Sequence, residues 1–171
     1  MEGSATKNSL SLQFTQVAWV VKNIKATERF FREVMGIDGF VKVENFRAKE
    51  FEGTYYGKPS DAEWHVYIAY SGGSFIELIQ PVSGQSIFQD YLDNNPAGGV
   101  QHIAYSIPIA DLDKAVSEFI DKGHPVITTV NMPVAKIFFF DTYKEAGIVT
   151  EIMGITEAGA AYVQKLKSGA I

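Results

Sequence analysis

The sequence predicts an α+β protein in which one unit of strand, helix and three further strands is written twice. Two observations carry this. The stretches Thr15-Gln16-Val17-Ala18-Trp19-Val20-Val21 and Gly98-Gly99-Val100-Gln101-His102-Ile103-Ala104-Tyr105-Ser106-Ile107 each place a polar, metal-capable residue at the start of a short apolar run, followed by a helical pattern. Each half then ends on an apolar run holding a single glutamate, Phe75-Ile76-Glu77-Leu78-Ile79 in the first and Val149-Thr150-Glu151-Ile152-Met153 in the second. Overlaying the halves puts Gln16 on His102 and Glu77 on Glu151, four candidate ligands related by pseudo-symmetry.

In chain order, residues 1–12 are small and polar and are expected to be a disordered N-terminus. Phe14 to Val21 is β-branched and aromatic enough for a strand. Asn23 can cap a helix whose apolar positions Phe30, Phe31, Val34 and Met35 turn inward until Gly36 ends it, with Arg29 and Arg32 outside. Gly39 to Phe51 alternates as a strand, residues 52–61 carry the Gly, Pro and Ser of a loop, and Trp64 to Tyr70 and Ser74 to Ile79 are strands joined by Ser71-Gly72-Gly73.

A connector over 82–99 holds a short helix around Ile87, Phe88, Tyr91 and Leu92 that stops at Asn95-Pro96. The order then repeats over 100–154. His102 to Ile107 is a strand, Asp111 or Asp113 caps a helix with Leu112, Ala115, Val116, Phe119 and Ile120 inward, and Val126 to Val130, Lys136 to Phe140 and Ile148 to Met153 are strands. Phe138, Phe139 and Phe140 read as core and pocket wall. Glutamine or histidine lies 61 residues before its glutamate in the first unit and 49 in the second, and the surplus of 12 falls in the loop before Trp64, where insertion costs least. A surface helix over 157–166 closes the chain, with 155–171 as a C-terminal helix and tail.

Composition removes whole classes of function. A formal net charge of -5 without basic clusters disfavours nucleic acid and anionic membranes as partners. The absence of cysteine excludes disulfides, thiolate-bound zinc, iron–sulfur clusters and a thiol nucleophile. No apolar run approaches the ~20 residues of a membrane span, and the first residues lack a signal peptide's pattern, so a soluble cytoplasmic protein is expected.

The four polar positions point to a divalent cation. Glutamate is depleted in mid-strand and costly to bury unpaired, and two such cases at matching places are explained together by a metal ion. One imidazole, two carboxylates and an amide oxygen form a hard set suited to Zn, Ni, Co, Mn, Mg or Fe(II). A chelated metal would polarise neighbouring substrate oxygens and stabilise an enediolate.

Over about residues 13–154 the sequence resembles the vicinal oxygen chelate superfamily, the fold of glyoxalases, methylmalonyl-CoA epimerases and bleomycin resistance proteins. The resemblance rests on Phe75-Ile76-Glu77-Leu78, Gly99-Val100-Gln101-His102-Ile103-Ala104 and Gly147-Ile148-Val149-Thr150-Glu151-Ile152 in that order on an internal repeat. It implies one domain of two tandem βαβββ modules, 13–81 and 100–154, forming a cupped, incompletely closed mixed β-barrel with flanking helices. It also implies a metal held by Gln16, Glu77, His102 and Glu151, a small-molecule substrate and a homodimer.

Within that family the connector, from Glu77-Leu78-Ile79-Gln80-Pro81 through Asn95-Pro96-Ala97-Gly98-Gly99, looks like methylmalonyl-CoA epimerase, which usually has histidine where Gln16 stands. The epimerase resemblance also puts a second catalytic group near His65, beside Glu77 or Glu151 as proton carrier. A glyoxalase I-like lactoylglutathione lyase is the alternative, supported by the ligand set but lacking that enzyme's arginine at Val20. A metal-free antibiotic-type binding protein is the reading from another class. An iron dioxygenase is disfavoured because Gln16 breaks the two-histidine triad.

Overall fold

The computed structural model describes residues 10–170. In chain order its elements are β1 (Gln13–Val20), α1 (Ile24–Glu33), β2 (Val41–Arg47), β3 (Thr54–Tyr55), β4 (Lys58–Pro59), β5 (Glu63–Ser71), β6 (Ser74–Ser83), α2 (Ile87–Asn94), β7 (Gly99–Pro108), α3 (Leu112–Asp121), β8 (Val126–Asn131), β9 (Ala135–Phe140), α4 (Tyr143–Ala146), β10 (Val149–Ile155) and α5 (Glu157–Ser168). The ten strands form one curled mixed sheet in the order β2-β5-β6-β1-β7-β10-β9-β8-β3-β4. The first four and the next four positions mirror each other, so the repeat read from the sequence is a pseudo-twofold whose seam is the antiparallel pair of β1 and β7. In each half the first strand lies parallel to the last, β1 on β6 and β7 on β10.

The segment expected to be a plain loop does structural work. After β2 ends at Arg47, a short 3-10 helix over Ala48–Phe51 leads into the β3–β4 hairpin, and Thr54 and Tyr55 of β3 pair with Thr129 and Thr128 of β8. The insertion thus carries the first module's chain onto the outer edge of the second and narrows the gap of the cup. The expected strand over 39–51 is correspondingly shorter.

Three apolar clusters follow from strand alternation. Inside the cup lie Val20, Trp64, Ile79, Phe88, Ile127, Ile137, Phe139 and Val149, with Phe46 and Phe51 packed against them. Trp64 meets Phe88 at 5.2 Å and Phe46 at 4.9 Å between ring centroids, so aromatic side chains fill one end of the cup. A second cluster under α3 contains Leu112, Ala115, Phe140 and Ile152, with Phe138 against it. Phe139 therefore faces the cup while its two neighbours face α3, as a period of two requires. The third cluster, under α1, joins Ile24, Phe31, Tyr67 and Leu78.

Three expectations need correction here. Leu10 is buried in the α3 cluster with Leu12 packed beside it, so residues 10–12 are attached; residues 1–9 lie outside the described part. On α1 only Phe31 of the four expected apolar residues is buried, whereas Phe30, Val34 and Met35 are exposed. Neighbouring helical positions differ by about 100°, and Phe31 is the one that meets Trp19 (5.3 Å) and Phe40 (6.4 Å), which turns Phe30 outward. Glu28 shares the covered face and is satisfied by Lys42 at 2.8 Å. On α3, Ile120 is exposed rather than inward.

The expected cap of α1 is present: the Asn23 side-chain oxygen accepts a hydrogen bond from Ala26 N at 3.0 Å. Asn23→Ala is expected to cost about 1 kcal/mol of unfolding free energy, the usual value of such a cap, measurable as a lowered urea midpoint at unchanged slope. At the entry to β7, Gly98 adopts φ +73°, and a Cβ there would lie 2.7 Å from the Val20 carbonyl oxygen. Only glycine allows β7 to begin this close to the end of β1.

Candidate metal centre

The seam between the modules positions the four polar residues. Two places past Gln16, Ala18 pairs with Glu77; two places past His102, Ala104 pairs with Glu151. Across the seam Gln16 pairs with Ala104 and Ala18 with His102, so the two halves repeat one arrangement. Ala18 and Ala104 are fully buried between the ligand positions, and their small side chains leave the space into which the longer ones reach. The sequence did not single these alanines out, since alanine in an apolar strand carries no signal of its own.

Each first-strand ligand also follows a β-bulge. Phe14 pairs with Tyr105 and Gln16 with Ala104, leaving Thr15 as the extra residue on β1; Ala18 pairs with His102 and Trp19 with Val100, leaving Gln101 as the extra residue on β7. Bulges re-aim side chains, and both stand immediately before a ligand.

The side chains converge. Gln16 Nε2 donates to Glu77 Oε2 at 3.1 Å and to Glu151 Oε2 at 3.0 Å. His102 Nε2 lies 3.2 Å from Glu77 Oε2 and 3.1 Å from Glu151 Oε2. Despite these distances neither carboxylate lies in hydrogen-bond geometry, and Nε2 is a buried atom without a directed partner. The histidine and Glu151 side chains are 0% and 3% exposed, while Glu77 keeps 14%, so solvent reaches the centre at Glu77. The imidazole is held edge-on to Phe139, with centroids 5.2 Å apart, and beside Phe88 at 6.1 Å.

Charge is concentrated in a dry place. Burial by itself lowers the His102 pKa, but the close carboxylates of Glu151 and then Glu77 outweigh it and raise it to about 9. Burial pushes the Glu151 carboxyl up, against the opposing pull of His102. Both directions describe a pocket that wants a positive charge and takes a proton when nothing better is present.

A divalent cation fits this donor set. Donor atoms of Glu77, His102 and Glu151 all lie within 4.8 Å of one another. Oxygen and nitrogen donors at right angles on a cation, with bonds of ~2.1 Å, stand ~3.0 Å apart, which is the spacing found here. Gln16 joins the set once its amide turns by half a rotation to present Oε1 in place of Nε2. The structure thus brings together Gln16, Glu77, His102 and Glu151.

His65 is not brought to the centre. It pairs with Gln80 across β5 and β6, and its neighbours Trp64 and Val66 belong to the interior of the cup, so His65 points to the other face. There its Nδ1 accepts a hydrogen bond from Asn45 N at 3.0 Å. Counting back from Glu77 gives an approximate position only, and strand alternation puts His65, between Trp64 and Val66, on the face away from the centre.

Beside the centre is a cavity of about 490 Å³, bounded by the ends of β1, β6 and β7 and by α5, with Thr15, Phe75, Ser106, Gln164 and Lys167 among its walls. Thr15 precedes Gln16 and Phe75 pairs with it, but none of the four donors is itself on the wall. The cavity adjoins the centre rather than containing it.

The chain matches the Glyoxalase/Bleomycin resistance protein/Dioxygenase superfamily over residues 15–139, and it belongs to that family. This is the vicinal oxygen chelate superfamily that the sequence motifs resemble. Among solved structures it is similar to methylmalonyl-CoA epimerase from Mycobacterium tuberculosis, at 14% identity over 92% of this chain and 97% of the other, with a TM-score of 0.63. It is also similar to a variant Streptomyces coelicolor methylmalonyl-CoA epimerase in complex with 2-nitronate-propionyl-CoA (24% identity, 86% and 96% coverage, TM-score 0.61). A hypothetical protein, BH1468 from Bacillus halodurans C-125, is similar at 17% identity over 84% and 94%, with a TM-score of 0.61. At these identities the likeness establishes the fold. No curated protein matches in sequence. No helix among the described residues is long and apolar enough to cross a membrane.

Proposed function

We propose that the chain is a divalent-metal-dependent isomerase of the epimerase kind, moving a proton on the carbon beside the carbonyl of a small thioester or carbonyl substrate. The observation that carries this reading is the convergence of two carboxylates, one amide and an unpartnered buried imidazole nitrogen at ~3 Å spacing across a module seam. Gln16, Glu77, His102 and Glu151 would hold the ion, which supplies Lewis-acid stabilisation of the negative charge that develops on a substrate oxygen. Glu77, at the solvent-reached rim, is the group placed to take the α-proton as a carboxylate and return it as a carboxylic acid. The aromatic fill formed by Trp64, Phe88 and Phe139 keeps water from the far side.

The lyase reading finds no cation at Val20, which is fully buried in the cup cluster. Assembly as a homodimer in the cytoplasm belongs to the proposed reading, with β2 an outer strand of the sheet at which a second copy could add; light scattering giving twice the chain mass would agree with the dimer.

The test is solvent-deuterium incorporation at the α-carbon of methylmalonyl-CoA, run in parallel with the methylglyoxal–glutathione hemithioacetal, after loading with Zn, Co, Ni or Mn. Metal-dependent exchange in the thioester supports the epimerase. Turnover of the hemithioacetal alone would transfer the assignment to the lyase, and exchange in neither would leave the metal-free binding protein.

A further inference from the structure

Gln101 is the bulge residue of β7, unpaired in the ladder and 2% exposed, and its Oε1 lies 2.6 Å from Nδ1 of the fully buried His102. We propose that Gln101 is a positioning residue that fixes the His102 ring and its proton so that Nε2 faces Glu77 and Glu151 as a bare donor. This rests on the metal reading above.

A neutral imidazole carries its one proton on either nitrogen, and only the form protonated at Nδ1 leaves a lone pair on Nε2. In the cup the pull is the wrong way. Glu77 Oε2 and Glu151 Oε2, 3.2 and 3.1 Å from Nε2, draw the proton toward the atom that must bind. Gln101 Oε1 offers an acceptor at the opposite nitrogen and selects the proton there. The reversed amide would set an NH₂ group against Nδ1–H, so the carbonyl orientation is the only one compatible with a protonated Nδ1.

Gln101 is also placed to do this without competing demands. Its residue lies on the wall of a cleft of about 440 Å³ formed with Tyr56, Asp90, Tyr91 and Asn95, and its Nε2 bonds to none of the described residues. Among the described residues the one bond its side chain makes is to His102. The bulge explains how two successive strand residues meet at all, since regular alternation would send them to opposite faces.

The test compares wild type, Gln101→Leu and Gln101→Glu by zinc affinity in a chelator competition and by the His102 Nδ1–H proton resonance, with and without zinc. Loss of an outer hydrogen bond of this kind typically costs 10–100-fold in metal affinity, and Gln101→Leu is expected to fall in that range while losing the protected resonance. Gln101→Glu, which keeps an acceptor, should recover affinity to within a few-fold of wild type and keep the resonance.

Zinc affinity within about threefold of wild type in Gln101→Leu overturns the proposal, because it falls below the loss such a bond produces. Should Gln101→Leu fail to fold, Gln101→Glu decides: loss of the resonance there overturns the proposal and its retention supports it. If wild type binds no zinc, the metal reading fails by itself. The Nδ1–H signal of metal-free protein then still decides the ring-holding role, supporting it if lost in Gln101→Leu and overturning it if unchanged.

Discussion

Replacing Glu77 and Glu151 together by glutamine is expected to take the protein from about one bound divalent ion per chain to none, and proton exchange down by about a thousandfold or more. The size follows from what the ion would do: a single well-placed stabiliser of a developing oxyanion is worth ~3–4 kcal/mol, and each 1.4 kcal/mol is a factor of ten. Two carboxylates supply all the negative charge of the donor set, so neither Gln16 nor His102 can hold the ion after they are gone. Metal analysis of the purified variant checks the first claim, and deuterium incorporation the second. Retained metal in the variant would place the ion elsewhere and remove the proposed mechanism.

The same centre sets the dependence on pH. A histidine ordinarily titrates near 6.5; His102 in the metal-free fold is raised to about 9, because Glu151 and Glu77 overcome the cost of burial. A folded value above the unfolded one means that the bound proton contributes its stability in full below about 6.5 and that this is lost as pH rises toward about 9. The upward shift of Glu151 acts in the same sense, since the proton its buried carboxyl holds more tightly than in the unfolded chain is lost as pH rises.

Metal-free protein should therefore lose melting temperature between pH 6.5 and 9. Protein with bound metal, which no longer carries that proton on His102 Nε2, should lose less. Affinity should rise about tenfold per pH unit up to about 9, because binding releases one proton. At a hundredfold excess over Kd the ion adds ~2.7 kcal/mol, or roughly 5–10 °C for a chain of this size. A metal-induced shift larger at pH 6 than at pH 8.5 would contradict the assignment.

How much of this was legible depends on whether the information lay in pattern or in register. Glu77 and Glu151 could be found because a glutamate between apolar strand residues conflicts with its surroundings, and the conflict occurs twice at matching places. Ala18 and Ala104, which make the room, conflict with nothing and were invisible. His65 was misplaced because a rough count along the chain fixes a position only to within a residue or two, and a difference of one residue in a strand puts the side chain on the other face. The insertion read as a loop because β3 and β4 are two residues each, too short for any period to show. On α1 the spacing of apolar residues was right and the rotation wrong: Trp19 and Phe40 decide which of Phe30 and Phe31 is covered, and both contacts are tertiary.

Gly159→Ala sets two opposed effects against each other, and their magnitudes decide the sign. In an exposed helix the change would stabilise by about 1 kcal/mol, since glycine is the poorer helix former. Gly159 lies in the first turn of α5, where its N–H donates to Thr156 Oγ1 at 3.1 Å, and Thr156 N and Oγ1 donate to the Val134 carbonyl at 3.2 and 3.1 Å. An added Cβ would stand 1.9 Å from that same carbonyl oxygen. The obstacle is backbone between β8 and β9, not a side chain that can rotate away, so α5 must lift and lose the Thr156 bonds.

The net expectation is a loss of ~2–3 kcal/mol, a melting temperature lower by roughly 5–10 °C. Gly154→Ala meets mainly the side chains of Leu112 and Ile109 and is expected to cost less. Because Ala160, Val163, Gln164 and Lys167 of α5 wall the cavity at the ends of β1, β6 and β7, and none of the four donors lies on that wall, Gly159→Ala should alter this cavity while leaving metal content unchanged. An unchanged or higher melting temperature would mean that helix propensity wins and that α5 does not dock on the Val134 carbonyl.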